Sequence, residues 1–363
     1  MLRTARFLRA YLKPEVVRWR EEETHVEVNG EPREATLYRP LHARGPVPGW
    51  VVLHGLTVPG RHHLAMVRFV RALTASGAAV LVPDVPAWRA LRIDTRAARD
   101  TIAAAARHLV ALPGTAPGGV AVTGFSFGAT QALMAAADPS LHGVVHTVAS
   151  FGGYGDLARL MRTMMTGEHE WNGVAERIDP DPYGRWIVFA NYLTHVPGFE
   201  HMAAVADAAR ELARAAGEDG RPSWDAVYDP LKRSLREGLT EEEQAVWDMV
   251  SPPAGVPPEQ GPLMERLSHE LTAAALRVDP GLDPSAALPG MRARVALSHG
   301  VDDRLIPYTE SLRLHALLAP VTDTSLTLTR LFAHSEHAGG NALHYVREGW
   351  KFARLLNRAL SSP

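Results

Sequence analysis

The sequence predicts an α/β protein with a mostly parallel, doubly wound sheet, and three observations carry that expectation. Short apolar runs that read as strands covered on both faces recur at 50–53, 79–82, 120–123 and 144–148. Between them stand segments of helical period at 63–76, 94–112 and 129–137, the first closed by Gly77 and the second by Pro113-Gly114. Strand followed by helix, repeated, specifies parallel strands joined by right-handed crossovers.

Each element can be justified in chain order. Residues 1–20 carry Arg3, Arg6, Arg9, Lys13, Arg18 and Arg20 with Leu2, Ala5, Leu8 and Leu12 between them, the pattern of a basic amphipathic helix. Packing on the body of the protein through that leucine stripe is the expectation, ahead of a helix resting on a membrane surface. Residues 24–28 and 34–38 alternate as two antiparallel strands joined through Asn29-Gly30 and Pro32, and would form the edge of the sheet. From about 155 to about 289 the alternation stops and helical patterns take over at 185–193, 199–216, 223–236 and 262–276. A further helix is opened by Thr240 with Glu243 as a capping box, and residues 251–258 form a proline-rich linker. The sheet resumes at 294–298, followed by a helix at 308–318, a strand at 325–331 and a last helix at 342–360. Residues 1–154 and 290–363 therefore read as one core domain, with 155–289 an inserted helical subdomain.

A chain of 363 residues suffices for such a domain with an insertion. Basic and acidic residues number 38 and 40, a net charge of −2 that gives no pull toward nucleic acid. With no cysteine, disulfides, thiol nucleophiles and cysteine-ligated metals are excluded. No secretory signal and no apolar run long enough to span a bilayer is seen, so a cytoplasmic protein without stable membrane insertion is expected. His62-His63 and the pair His334 and His337 resemble metal-ligand spacings only superficially, with no nearby carboxylate placed by an established helix, so no metal is expected either.

The chemistry centres on Gly124-Phe125-Ser126-Phe127-Gly128, between the strand at 120–123 and the helix from 129. Glycines flank the serine because so sharp a corner brings strand and helix too close for side chains, and the hydroxyl is held out at the carboxyl end of the sheet. A serine hydroxyl is a weak nucleophile until a base takes its proton, so a histidine backed by a carboxylate is required. Asp302 and Asp303 follow a buried strand, and only one of two adjacent aspartates can face an imidazole. His334 and His337 both follow the last strand. If that strand runs to Leu331 or Phe332, His334 lies about 7–10 Å of extended chain beyond it, anchored by Leu331-Phe332-Ala333. His337 adjoins Ala338-Gly339-Gly340 instead, so His334 is the expected base.

The elbow, the strand ends and the order serine, acid, histidine resemble an α/β-hydrolase with a helical cap. The resemblance covers about residues 50–155 and 294 to the end, and the insertion stands where that family commonly carries its cap. It implies that the acid is Asp303, because Gly300 and Pro307 match the pattern Gly-x-x-Asp-x-x-hydrophobic-Pro. It also implies an oxyanion hole made by the backbone N–H groups of Phe127, at a helix start, and of Leu56, since His54-Gly55-Leu56 is similar to the family's His-Gly-x strand end. His54 itself reads as a brace for that loop.

Phe125, Tyr183 and Trp186 are the expected pocket residues, although Trp171, Trp186, Trp224 and Trp247 fit a helical core equally. Tyr183, Arg185 and Trp186 belong to a distinctive turn, Asp179-Pro180-Asp181-Pro182-Tyr183-Gly184-Arg185-Trp186, and nothing in it separates a place over the site from a structural role. The expected activity is hydrolysis of a small-molecule carboxylic ester through an acyl-enzyme, with no cofactor. Amide, peptide or thioester hydrolysis and acyl transfer would use the same residues. A silent fold that binds a ligand or partner is the alternative of another class.

Overall fold

The computed structural model describes residues 2–13, 18–256, 261–330, 351, 353–355 and 357–360. Helix α1 (Leu2–Leu12) turns Thr4, Phe7 and Ala10 inward and leaves Leu2 and Leu12 exposed. It packs on the body, as expected, but through a different stripe and over a shorter span. The Phe7 ring meets Phe69 edge-on at 5.3 Å, and Trp19 already belongs to a strand. The Phe7 ring is fully buried against α2, with Leu8 partly buried beside it.

Strands β1 (Trp19–Val28) and β2 (Glu31–Pro40) form the edge hairpin, with Val28 opposite Glu31. Asn29 and Gly30 take φ of 54° and 83°, the left-handed pair that a two-residue hairpin turn demands. Then come β3 (Gly49–Leu53), α2 (Leu64–Ala75), β4 (Ala79–Pro83), the short α3 (Pro86–Arg89), α4 (Thr95–Ala111), β5 (Val120–Phe125), α5 (Phe127–Ala137) and β6 (Val145–Phe151). After the insertion follow β9 (Arg294–Gly300), α12 (Thr309–Leu318) and β10 (Thr324–Thr329). Among the described residues the sheet has eight strands, in the order β1-β2-β4-β3-β5-β6-β9-β10. Strands β1, β2 and β4 pair antiparallel and the rest parallel.

Alternate residues of the buried strands feed two cores. Val51, Leu53 and Leu81 pack with Ile102, Leu109 and Leu133 of α4 and α5. Trp50, Val52 and Val80 pack on the other face with Phe69 and Leu73 of α2 and with Leu355. Strand order reverses at β3, which has β4 on one side and β5 on the other, so the carboxyl ends of β3 and β5 border a topological switch point.

The insertion comprises α6 (Leu157–Thr166), β7 (Glu168–Trp171), β8 (Val174–Arg177), α7 (Pro182–Tyr192), α8 (Ala203–Asp219), α9 (Asp229–Glu237), α10 (Glu241–Val250) and α11 (Pro262–Val278). It packs around its own cluster, including Trp186, Phe189, Leu212, Trp247 and Leu271. It is not wholly helical: β7 and β8 pair antiparallel across Asn172-Gly173, whose φ angles of 51° and 78° repeat the hairpin geometry of Asn29-Gly30. At its base the Tyr154 hydroxyl donates to the Leu282 carbonyl at 2.7 Å, tying its two ends together.

Strand β10 ends at Thr329, short of the expected Leu331. His334, His337 and most of the last expected helix lie outside the described residues. Among the described residues no helix is long and apolar enough to cross a membrane.

Candidate active site

Ser126 is the single residue between β5 and α5, and its φ of 55° and ψ of −127° put a non-glycine residue where few settle without compensation. The compensation is close packing around it. A Cβ on Gly124 would stand 2.2 Å from the Gly128 carbonyl oxygen, and a Cβ on Gly128 would stand 2.3 Å from the His54 carbonyl oxygen. Both glycines are thus required by contact. The Ser126 N–H donates to the Phe151 carbonyl at 2.8 Å, and its own carbonyl accepts from the Ala129 N–H at 2.9 Å.

Phe127 opens α5, where first-turn N–H groups have no partner inside the helix and the dipole is positive. The loop after β3 runs against the serine, since a Cβ on Gly55 would lie 3.6 Å from that of Ser126. Four fastenings hold this loop. His54 donates through Nδ1 to the Gly55 carbonyl at 2.7 Å and accepts the Val85 N–H through Nε2 at 3.1 Å, so both nitrogens are used and the ring is a neutral brace. Burial pushes its pKa down, consistent with that state. Arg61 is buried and ion-paired to Glu23 and Glu34 of the edge hairpin at 2.6 and 2.8 Å. Arg89 donates to the Val58 carbonyl at 3.2 Å, and the Tyr183 hydroxyl of the insertion donates to the Leu56 carbonyl at 3.0 Å.

The two expected aspartates have opposite environments. Asp302 is exposed and ion-paired with Arg330 at 3.1 Å. Asp303 is buried, and its Oδ1 accepts the N–H groups of Leu305 and Ile306 at 2.9 and 3.0 Å. His299 braces the same loop, with Nε2–H on the Ile306 carbonyl at 2.8 Å and Nδ1 accepting from Ser311 at 2.6 Å. The register Phe125↔Phe151↔Ser298 across β5, β6 and β9 sets the elbow and this loop at one level of the sheet, two strand spacings or about 10 Å apart. Strand β10 ends with Thr329 opposite Gly300, on the same edge.

Beside Ser126 lies a half-open cavity of about 80 Å³ whose lining is almost wholly apolar. Leu56, Ile93, Phe127, Leu305 and Ile306 line it from the core, and Leu157, Leu160, Met161 and Met164 of α6 with Tyr183, Ile187 and Tyr192 of α7 line it from the insertion. Of the expected pocket residues, Tyr183 is at the cavity and two are not. The Phe125 ring stacks on Phe151 at 5.2 Å in the core beneath α2, whereas the sharp turn at Ser126 starts α5 at Phe127 and gives that residue the cavity side. Trp186 is fully buried inside the insertion, 6.5 Å from the Tyr228 ring and packed in the insertion's cluster. Ile93, the α6 methionines and Leu282 carry no signal in the sequence that separates them from ordinary core. Among the described residues no group of three or more histidines, aspartates or glutamates converges as a metal site.

No protein-family model matches the chain, and a search of curated proteins finds no similar sequence. Solved structures are similar in fold. The Pyrococcus horikoshii acylaminoacyl peptidase superposes with a TM-score of 0.54 at 10% identity, over 98% of this chain and 44% of its own. A puromycin-hydrolyzing peptidase of Mycobacterium tuberculosis gives 0.51 at 16% identity, over 98% and 40%. The Porphyromonas gingivalis dipeptidyl peptidase 4 gives 0.50 at 12% identity, over 94% and 36%. This chain therefore spans less than half the length of each of those proteins. Together with the strand order and the elbow at Ser126, these likenesses show that the chain has the α/β-hydrolase fold.

Proposed function

We propose that this protein is a serine hydrolase that cleaves a carboxylic ester bearing an apolar acyl or aryl group. The observation that carries the reading is Ser126, held at a strained elbow, opening onto an apolar cavity flanked by Leu56 and Phe127. In this reading Ser126 Oγ attacks the ester carbonyl, His334 takes its proton, and Asp303 holds the imidazolium in place. The N–H groups of Phe127 and Leu56 receive the oxyanion. His334 returns the proton to the departing alkoxide. Water, activated by the same histidine, then attacks the acyl-enzyme and releases the acid and Ser126.

The insertion acts here as a cap, excluding water and supplying most of the acyl pocket. Its lining favours an ester over a peptide, because a peptide brings N–H and C=O groups that need partners and the cavity offers few polar atoms. The peptidases of similar fold make the amide the comparison to run. A panel of p-nitrophenyl esters of increasing acyl length, beside a peptide and a thioester, tests the reading together with fluorophosphonate labelling. Turnover of apolar esters with labelling at Ser126 supports it. A protein that neither labels nor turns over any of them is a binding module, and the proposal falls.

A further inference from the structure

The turn Asp181-Pro182-Tyr183 touches both loops that the proposed chemistry uses. The Asp181 N–H donates to the Arg304 carbonyl at 2.8 Å, in the loop directly after Asp303. Two residues on, the Tyr183 hydroxyl donates to the Leu56 carbonyl at 3.0 Å. The turn itself is stiff. Proline fixes the backbone at the first position of α7, and the Asp181 carboxylate accepts the Tyr183 N–H at 3.0 Å while also bonded by the Ser223 hydroxyl. Arg304 is fastened from the same side, donating to the Asp179 carbonyl at 2.7 Å and lying 4.1 Å over the Trp224 ring. Around the Tyr183 hydroxyl, α8 closes in: a Cβ on Gly217 would lie 3.7 Å from it and 3.8 Å from the Val58 nitrogen.

We infer that Tyr183 is a positioning residue for the oxyanion hole, and that its turn fixes the distance between the oxyanion loop and the acid loop. The inference rests on the reading of Ser126 as nucleophile and of the Leu56 N–H as an oxyanion donor. The Leu56 N–H and C=O sit on the two peptides that flank one α-carbon, so holding the carbonyl removes the rotation that would swing the donor away from the oxyanion. Burial raises the phenol's pKa far above neutrality, so Tyr183 remains a donor throughout the working range. The insertion thereby contributes to transition-state binding as well as to the pocket.

Tyr183→Phe keeps the ring and removes only the clamp. Loss of a well-placed oxyanion donor costs about 10²–10³ in kcat, and loosening one should cost about 10- to 100-fold, with KM changed by less than about threefold. A boronic acid that mimics the tetrahedral intermediate should lose affinity by the same factor, a readout that a merely structural tyrosine would not move. Hydrogen exchange of the 54–58 amides should quicken in the variant while the rest of the molecule keeps its protection. A raised KM with unchanged kcat would make the hydroxyl a pocket contact and overturn the inference, as would unchanged kinetics and exchange. If wild-type protein neither turns over esters nor labels at Ser126, the proposed function fails. That failure is distinguishable, because the exchange comparison needs no turnover: faster exchange would leave a loop clamp with no oxyanion to serve.

Discussion

The carbonyl oxygen of His54 occupies the space that a side chain on Gly128 would need, at 2.3 Å from a Cβ built there. The end of β3 and the first turn of α5 are in backbone contact, which brings Leu56 and Phe127 to the same side of Ser126. Gly128→Ala, and likewise Gly124→Ala, must push backbone apart, because the clashing atoms are carbonyls with no rotamer to yield. Either change should destabilise the protein by about 3–5 kcal/mol or prevent folding. Gly143→Ala, with nothing within 4 Å of its Cβ but a φ of 81°, should cost only the backbone strain, about 1 kcal/mol. Denaturant midpoints of the three variants check the ordering.

Ser126→Ala should abolish ester turnover by several orders of magnitude and remove fluorophosphonate labelling, with thermal stability unchanged or slightly raised as the hydroxyl leaves a strained corner. Near-normal turnover in this variant would remove Ser126 from the mechanism.

Asp303→Asn should cost about 10³–10⁴ in kcat, since an amide cannot hold an imidazolium, while Asp302→Asn should stay within about twofold. The contrast follows from their settings, one buried on two backbone N–H groups and one exposed on Arg330. Parallel assays of both variants with one activated ester decide it, and a larger loss at 302 would move the acid there.

The core strands, the elbow and the sheet edge were legible because each rests on a short-range rule: apolar runs, flanking glycines, an Asn-Gly turn. The same rule was present at Asn172-Gly173 and marks a hairpin within the insertion, hidden in a stretch dominated by helical periods. Asp156 and Gly167 likewise flank α6 as cap and left-handed stop, signals readable before the structure. The cavity is different in kind. Met161 and Met164 line the same cavity as Ser126 only because the insertion folds α6 across from the elbow, a long-range packing outcome that no local pattern encodes. Phe125 and Trp186 show the converse, since an aromatic residue near a site in sequence is as readily turned into the core.

Glu310 gives a pH prediction. Its carboxylate is buried at the joint between the sheet and the insertion, accepting the N–H groups of Gly155 and Asp156, both at 3.0 Å, with Arg313 at 3.2 Å on its other oxygen and the Asp156 carboxylate nearby. Burial outweighs those donors and raises its pKa to about 7. The folded state then holds a proton that the unfolded chain releases near its ordinary value, so this contribution to stability is full at low pH and is lost as pH rises through about 7. Glu310→Gln should flatten the decline, narrowing the stability difference between about pH 5 and pH 8 by on the order of 1–3 kcal/mol relative to wild type. Denaturant unfolding of both proteins at the two pH values measures it, and equal slopes would refute it.

Met164→Trp should fill part of the cavity beside Ser126, at a half-buried position where the surrounding chain can accommodate the ring. The preferred acyl chain should shorten, with kcat/KM for long esters falling at least about tenfold against acetate or propionate esters. An unchanged chain-length profile would place the acyl group elsewhere.

The bond from Tyr154 to Leu282 joins residues 128 positions apart in the chain. It bears on how the sheet is completed during folding. Strand β6 ends at Phe151 and its parallel neighbour β9 begins at Arg294, so closing that pair over an open coil would cost about 4 kcal/mol of chain entropy. An insertion that collapses first around its own tryptophans, with its two ends knotted at Tyr154 and Leu282, turns that search into the meeting of two short stems. The expected folding order follows: the insertion protects its amides as an early cooperative unit, and β9 and β10, with the Asp303 loop between them, join a sheet in which the elbow at Ser126 is already formed, an order that pulsed hydrogen exchange during refolding checks.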